Sequence, residues 1–374
     1  MALRSLRTAI RKARKAHAAD QRRIAAQAAQ PDAITALNPG LQDLLDHSRR
    51  RLNTWAGDYR GRPVPLTLLH FSDIHGDQEN LERIEAFRRT WARHLDDTLC
   101  TGDLCYQNFA DGLDFWRVTD GTILTCVGNH DAIDPSEYPR PYPGYQPDWQ
   151  HLVDSRDVAA ALMDPFAPKW GPNARHQPGT TFYYKDYPEQ RIRLVVIDHT
   201  LHEERAVQEQ ADWLSATLKD AGEKELAVVA ATHAACLENE PVECTFTSTT
   251  RLQVANESYY TRSIYLERVQ EFMDAGGHFT CWLCGHEHVD FILRSTRFPH
   301  QLFVVVPSAW PNPRWADGAR KRGHKSQDCF NLTTIDTSAH VVKIVRVGAD
   351  RDCLLRHKGV LVLDYQTGQV IHNE

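Results

Sequence analysis

Seven short apolar runs in this chain each break off into a polar or turn-forming segment. They are "PLTLLHFSDIHG", "DDTLCTGD", "TILTCVGNHD", "IRLVVIDHT", "LAVVAATHAA", "HFTCWLCGHEH" and "HQLFVVVPSAW". Their length and apolar continuity predict buried strands. Helical stretches lie between several of them, among them "DQENLERIEAFRRTWARHL" and "ERAVQEQADWLSATLKDAG", the second predicted to stop at Gly222 as a C-cap. Alternating strands and helices predict an α/β layered fold. In such folds the loops at strand C-termini converge on a ligand, so residues far apart in sequence can meet there.

The polar residues at these strand ends share one chemistry. In order they are Asp73 and His75 in "DIH", Asp103 in "GD", Asn129, His130 and Asp131 in "GNHD", His233 in "THAA", and His286 and His288 in "GHEH". Carboxylate, imidazole and amide oxygen suit Mn, Fe or Zn rather than Ca²⁺, which takes oxygen alone. The set is too large for one catalytic ion and suits two that share a carboxylate. His286 and His288 stand two apart, as do Asp73 and His75, and in an extended segment such residues project to one side. Gly102, Gly128 and Gly285 each precede a candidate ligand, where a missing Cβ permits close backbone approach. Cys281 and Cys284 are three apart on a predicted strand and so face opposite ways, which fits buried thiols better than a Cys-x-x-Cys zinc half-site. Each motif is weak alone, since "GD" is common in turns and a lone histidine is usually an ordinary side chain. Five in a fixed order, each behind an apolar strand, point to a metal centre.

The ordered set "DIH … GD … GNHD … H … GHEH" resembles the signature of the calcineurin-like metallophosphoesterase superfamily, over roughly Leu66 to Val347. The resemblance implies a four-layer α/β/β/α sandwich, two facing mixed sheets flanked by helices, with two divalent or transition metal ions at the strand ends. Carried over by position, Asp73, His75 and His288 would bind the first ion; Asn129, His233 and His286 the second; Asp103 both. The resemblance further implies hydrolysis of a phosphodiester or phosphomonoester by a metal-bridging hydroxide, with His130 as general acid and Asp131 orienting its ring. Within the superfamily, "GDLCYQN" lacks the acidic and Arg residues of the protein serine/threonine phosphatases. "GDLCY" matches the Gly-Asp-x-x-Tyr motif of purple acid phosphatases, whose tyrosine ligates ferric iron, but those enzymes lack a histidine at the position of His75. Asp-x-His with "GNHD" is most similar to the bacterial phosphodiesterase and broad phosphoesterase branch. There His75 ligates, and Tyr106 stands on the substrate side, as His199 would. A purple-acid-phosphatase-like phosphomonoesterase and a metal-binding module without turnover are the competing readings.

The rest of the chain sets the boundaries. Residues 1–60 read as a basic Ala/Arg-rich helical arm, either solvated or engaged in a homo-oligomer contact or with an anionic partner; its composition also resembles an organellar transit peptide. Residues 61–350 are the expected catalytic domain. Within it, 134–188 hold ten of the nineteen prolines and form a Pro/aromatic-rich loop region expected over the site. Residues 351–374 are expected to add a C-terminal β-hairpin turning at its Thr-Gly pair. Substrate choice is assigned to the 134–188 region and to the loops carrying His199, His202 and Trp310. No apolar run approaches the ~20 residues of a membrane span. Nine scattered cysteines and no secretory signal fit a reducing, cytoplasmic setting. The net charge of −6, with basic residues concentrated only in the arm, argues against a nucleic-acid partner, and the resemblance implies a phosphate-ester substrate.

Overall fold

A computed structural model describes residues 64–105, 115–116, 118–119, 121–132, 155–201, 203–237, 242–247, 263–311, 320–349 and 359–373. The basic arm, Tyr106, His202 and residues 133–154 of the proline-rich region lie outside them.

The described strands are β1 (Leu66–Phe71), β2 (Asp97–Cys100), β3 (Leu124–Thr125), β4 (Ala174–His176) and β5 (Tyr183–Tyr187). They continue with β6 (Ile192–Val196), β7 (Ala227–Ala231), β8 (Val242–Thr247), β9 (Phe279–Cys284) and β10 (Phe291–Ser295). The last are β11 (Phe303–Val305), β12 (Cys329–Asp336), β13 (Val341–Gly348), β14 (Val360–Asp364) and β15 (Val370–Asn373). They form two mixed sheets, ordered β15-β14-β13-β12-β1-β2-β3 and β4-β5-β6-β7-β9-β11-β10-β8. The parallel pairs are β1 with β2 and β2 with β3 in the first sheet, and β6 with β7, β7 with β9 and β9 with β11 in the second. These seven parallel strands are the seven apolar runs of the sequence. Their C-termini within each sheet therefore open at one edge, and every candidate site residue follows one of them.

Side-chain alternation explains the layering. Along β7, Ala227, Val229 and Ala231 join the core shared with the first sheet, whereas Val228 and Ala230 join a second core. Strand β9 splits the same way, with Cys281 and Leu283 in the first core and Trp282 and Cys284 in the second, so the two cysteines do face opposite ways. The second core is closed by helices α2 (Glu204–Glu223) and α3 (Ser263–Asp274), through Val207, Ala211, Leu214 and Leu218 of α2 and Tyr265, Leu266 and Val269 of α3. Such 3–4-residue spacing presents one apolar stripe to the sheet. On the other side, α1 (Gln78–Trp91) sets Phe87 edge-on against Phe330 of β12. Asp77 caps α1 by accepting from Asn80 N at 3.1 Å, and Arg88 and Arg89 sit favourably in its last turn. The result is an α/β/β/α sandwich.

Gly222 does not end its helix in the left-handed form. Helix α2 continues to Glu223, and the positive φ falls on Glu225. A Cβ at Gly222 would lie 3.4 Å from Phe272 of α3, an ordinary contact distance. The C-terminal hairpin is present as β14 and β15, and it extends the first sheet through β13. No described helix is long and apolar enough to cross a membrane.

Candidate metal centre

The loops beyond β1, β2, β7 and β9 bring together two groups of potential ligand atoms. One comprises Asp73, His75, Asp103 and His288; the other comprises Asp103, His233 and His286. Asp103 belongs to both. Asn129, from the loop after β3, joins the second group through Oδ1, 3.1 Å from His233 Nε2. His199, beyond β6, is buried with its ring 5.4 Å from that of His233.

Backbone contacts aim each group inward. Asp73 Oδ2 accepts from His286 N at 3.0 Å, which leaves Oδ1 toward the cluster, 3.2 Å from His288 Nε2. Asp103 Oδ1 accepts from His130 N at 3.0 Å, and its Oδ2 faces His233 Nε2 at 3.3 Å and His75 Nε2 at 3.7 Å. His233 Nδ1 donates to the carbonyl of Thr101 at 2.6 Å, which fixes the tautomer and turns Nε2 inward. Thr101 carries no sequence signal for this task, because the acting group is a main-chain oxygen.

The projection of the ligand pairs has a different cause from the one expected. Asp73, His75, His286 and His288 do not lie on extended strand; all four have positive φ, as does Asp103. The strands end just before them, and single left-handed residues fold each pair inward. Asp and His tolerate that conformation better than most residues, at a cost of order 1–3 kcal/mol each. The glycine expectation fares better. A Cβ on Gly128 would meet Asp103 Oδ1 at 2.2 Å, and one on Gly285 would meet Ser72 Oγ at 1.8 Å.

Asp131 does not orient His130. Its carboxylate accepts from Leu104 N at 2.8 Å, Cys105 N at 3.0 Å and Gly128 N at 2.9 Å. The chain enters a single 3₁₀ turn at His130–Ala132, so consecutive side chains diverge and Asp131 clamps the β2 and β3 loops together. The His130 ring stands edge-on to His75 at 4.9 Å, outside both ligand groups and partly exposed.

Electrostatics couple the cluster. Burial alone would raise the Asp73 and Asp103 carboxyls, but the facing imidazoles of His288 and His233 hold both well below the usual carboxylate range. Burial likewise disfavours charged His233, yet the Asp103 and Asp73 carboxylates lift it to about 10, so a cation bound at Nε2 would displace a proton there. Burial lowers His75 and His286 to about 3, which keeps their lone pairs available.

The model of the calcineurin-like phosphoesterase family matches residues 66–290, more than half of the chain. The protein belongs to the calcineurin-like phosphoesterase family. Membership makes it a phosphoesterase in general and implies a dinuclear centre of divalent ions. No curated protein matches the chain significantly. Among solved structures, a dimetal phosphatase from Danio rerio is similar at 11% identity and TM-score 0.46, covering 76% of this chain and 97% of its own. A purple acid phosphatase from yellow lupin (Lupinus luteus) seeds is similar at 14% identity and TM-score 0.44, covering 84% of this chain and 54% of its own. A Thermus thermophilus protein gives 12% identity and TM-score 0.37, over 76% of this chain and 100% of its own.

The residues of this phosphoesterase fit such a centre. Its facing imidazole nitrogens lie 3.2 Å apart (His75 and His288) and 3.3 Å apart (His233 and His286). Metal–nitrogen bonds of about 2.0–2.1 Å around one ion place neighbouring ligand atoms at such a separation. Asp73 Oδ1 is buried with no main-chain donor and only imidazole nitrogens approaching it, as a carboxylate oxygen reserved for a cation would be.

Proposed function

We propose that this protein hydrolyses a phosphate monoester or diester at two metal ions, one held by Asp73, His75, His288 and Asp103, the other by Asn129, His233, His286 and Asp103. The observation that carries the reading is the position of Asp103, whose carboxylate belongs to both groups of ligand atoms. Two divalent ions so held supply charge neutralisation of the phosphoryl oxygens and activation of water near neutral pH. The chain's own residues do the rest. Asp103, anchored through Oδ1, keeps Oδ2 between the two groups. His130 stands on the rim with Nε2 3.9 Å from Asp103 Oδ2, where its ring can hold a proton and give it to the leaving oxygen. His199, buried with its ring 5.4 Å from that of His233, is assigned to the substrate side of the second ion.

The presence of His75 in the first ligand group supports the phosphodiesterase-like reading over one in which Tyr106 binds ferric iron. Metal analysis with hydrolysis assays on mono- and diesters tests the proposal. Chelation should abolish turnover and Mn²⁺ should restore it; full activity after exhaustive metal removal would overturn the reading.

A further inference from the structure

The segment after β11 has structure that the proposed metal chemistry leaves unused. It is fastened to the loop that carries Asp73: Ala309 N donates to Ser72 O at 2.8 Å, and Ser308 Oγ and Trp310 N donate to Asp73 O at 2.9 and 3.2 Å. A second set of bonds holds it from behind. Arg320, almost fully buried, donates to the carbonyls of Ser308 at 2.6 Å, Ala309 at 3.2 Å and Trp310 at 3.2 Å, and also to those of Ser326 and Gln327. Asn80 of α1 donates to Ala309 O at 2.7 Å. A guanidinium saturated by main-chain carbonyls leaves the segment little freedom, and such pre-organisation is what a recognition surface needs.

The residue whose main chain is held in this way and whose side chain reaches the cluster is Trp310. Its ring lies 5.2 Å from that of His75, and it is only partly buried although its neighbours Ala309 and Pro311 are buried. The His130 ring packs on the same His75 at 4.9 Å and is also partly exposed. Trp310 and His130 therefore both pack on a member of the first ligand group, and both are partly exposed there. An indole carried on so constrained a backbone offers a flat apolar face, which favours a stacked ring over an alkyl chain.

We propose that Trp310, whose main chain Arg320 clamps beside His75, is the wall that receives the organic part of the substrate and selects phosphate esters bearing a flat aromatic group. This rests on the function proposed above. The shared chemistry is a planar ring, supplied either by an aryl group on the ester oxygen or by the base of a nucleotide.

The test is calorimetric binding of three phosphonates to the Mn²⁺-loaded full chain: methylphosphonate, phenylphosphonate and the non-hydrolysable phosphonate analogue of AMP. An aromatic compound should bind roughly tenfold more tightly than methylphosphonate, the size expected for one ring stacked on an aromatic side chain. The preference should vanish in Trp310→Leu and persist in Trp310→Phe, with bound metal at the wild-type level in both. Preference for the AMP analogue over phenylphosphonate identifies the nucleotide source, and the reverse identifies the aryl source. An equal affinity for all three, or a preference unchanged in Trp310→Leu, overturns the aromatic wall while leaving the metal centre standing. Failure of every phosphonate to bind overturns the function proposed above, and the wall with it.

Discussion

At the scale of single residues the centre divides its work between the two oxygens of each carboxylate. Asp103 gives one oxygen to the backbone and the other to both ligand groups, so Asp103→Asn should weaken both ions together. His286→Ala touches only the second group and should leave the first ion bound. Metal counts per chain separate these outcomes; one ion retained in Asp103→Asn would contradict the sharing. His130 belongs to neither group. His130→Ala should keep the metal and lower turnover by ~10² to 10⁴, the usual range for a positioned acid or base. If that variant arrives empty of metal, His130 is a ligand and not the acid.

Among elements, the ligand-bearing loops stay in register through contacts that never touch a metal. Asp131 gathers three buried amides from the β2 and β3 loops. Asp131→Ala would leave them without an acceptor, a loss of about 3 kcal/mol or more in unfolding free energy. Urea unfolding measures it, and a loss below about 1 kcal/mol would mean that water replaces the carboxylate. Close approach of the same loops makes Gly128 sensitive. Its added Cβ would fall 2.2 Å from Asp103 Oδ1 and 2.3 Å from Asp103 N, so Gly128→Ala must displace the shared ligand. Bound metal should drop in this variant even where the folded state survives.

For the whole molecule, the two sheets are joined near the centre by a buried ion pair. Arg346 of β13 binds Asp290, two residues beyond His288, and also donates to Asn331 Oδ1 at 2.8 Å. Arg346→Ala would remove the guanidinium from a buried carboxylate, an effect of about 3–5 kcal/mol. Thermal and urea denaturation should both report it. Truncation of residues 1–60 is expected to act differently. Every candidate ligand follows a strand beyond that segment, so metal content and hydrolysis should persist. A folded, metal-loaded truncation that has lost activity would place the arm in the site.

The strands and the order of polar motifs behind them were legible in the chain, because burial on both faces demands continuous apolar runs and a metal centre demands His, Asp and Asn in quantity. Histidines such as His286 and His288 could be assigned together from "GHEH" before any fold was known. Their geometry could not. Spacing suggested an extended pair, whereas the fold bends each ligand pair through left-handed residues that nothing local requires. Likewise "GNHD" placed Asp131 next to His130, but a 3₁₀ turn sends its carboxylate to the amides of another loop. The clasp of Arg320 on the Trp310 segment was equally silent, since it is made to main-chain carbonyls that every residue possesses. Sequence determined which chemistry the protein could assemble, because ligand types are written in side chains. Tertiary structure alone decided which atom faces which, because backbone donors and acceptors carry no residue identity and act only where packing brings them.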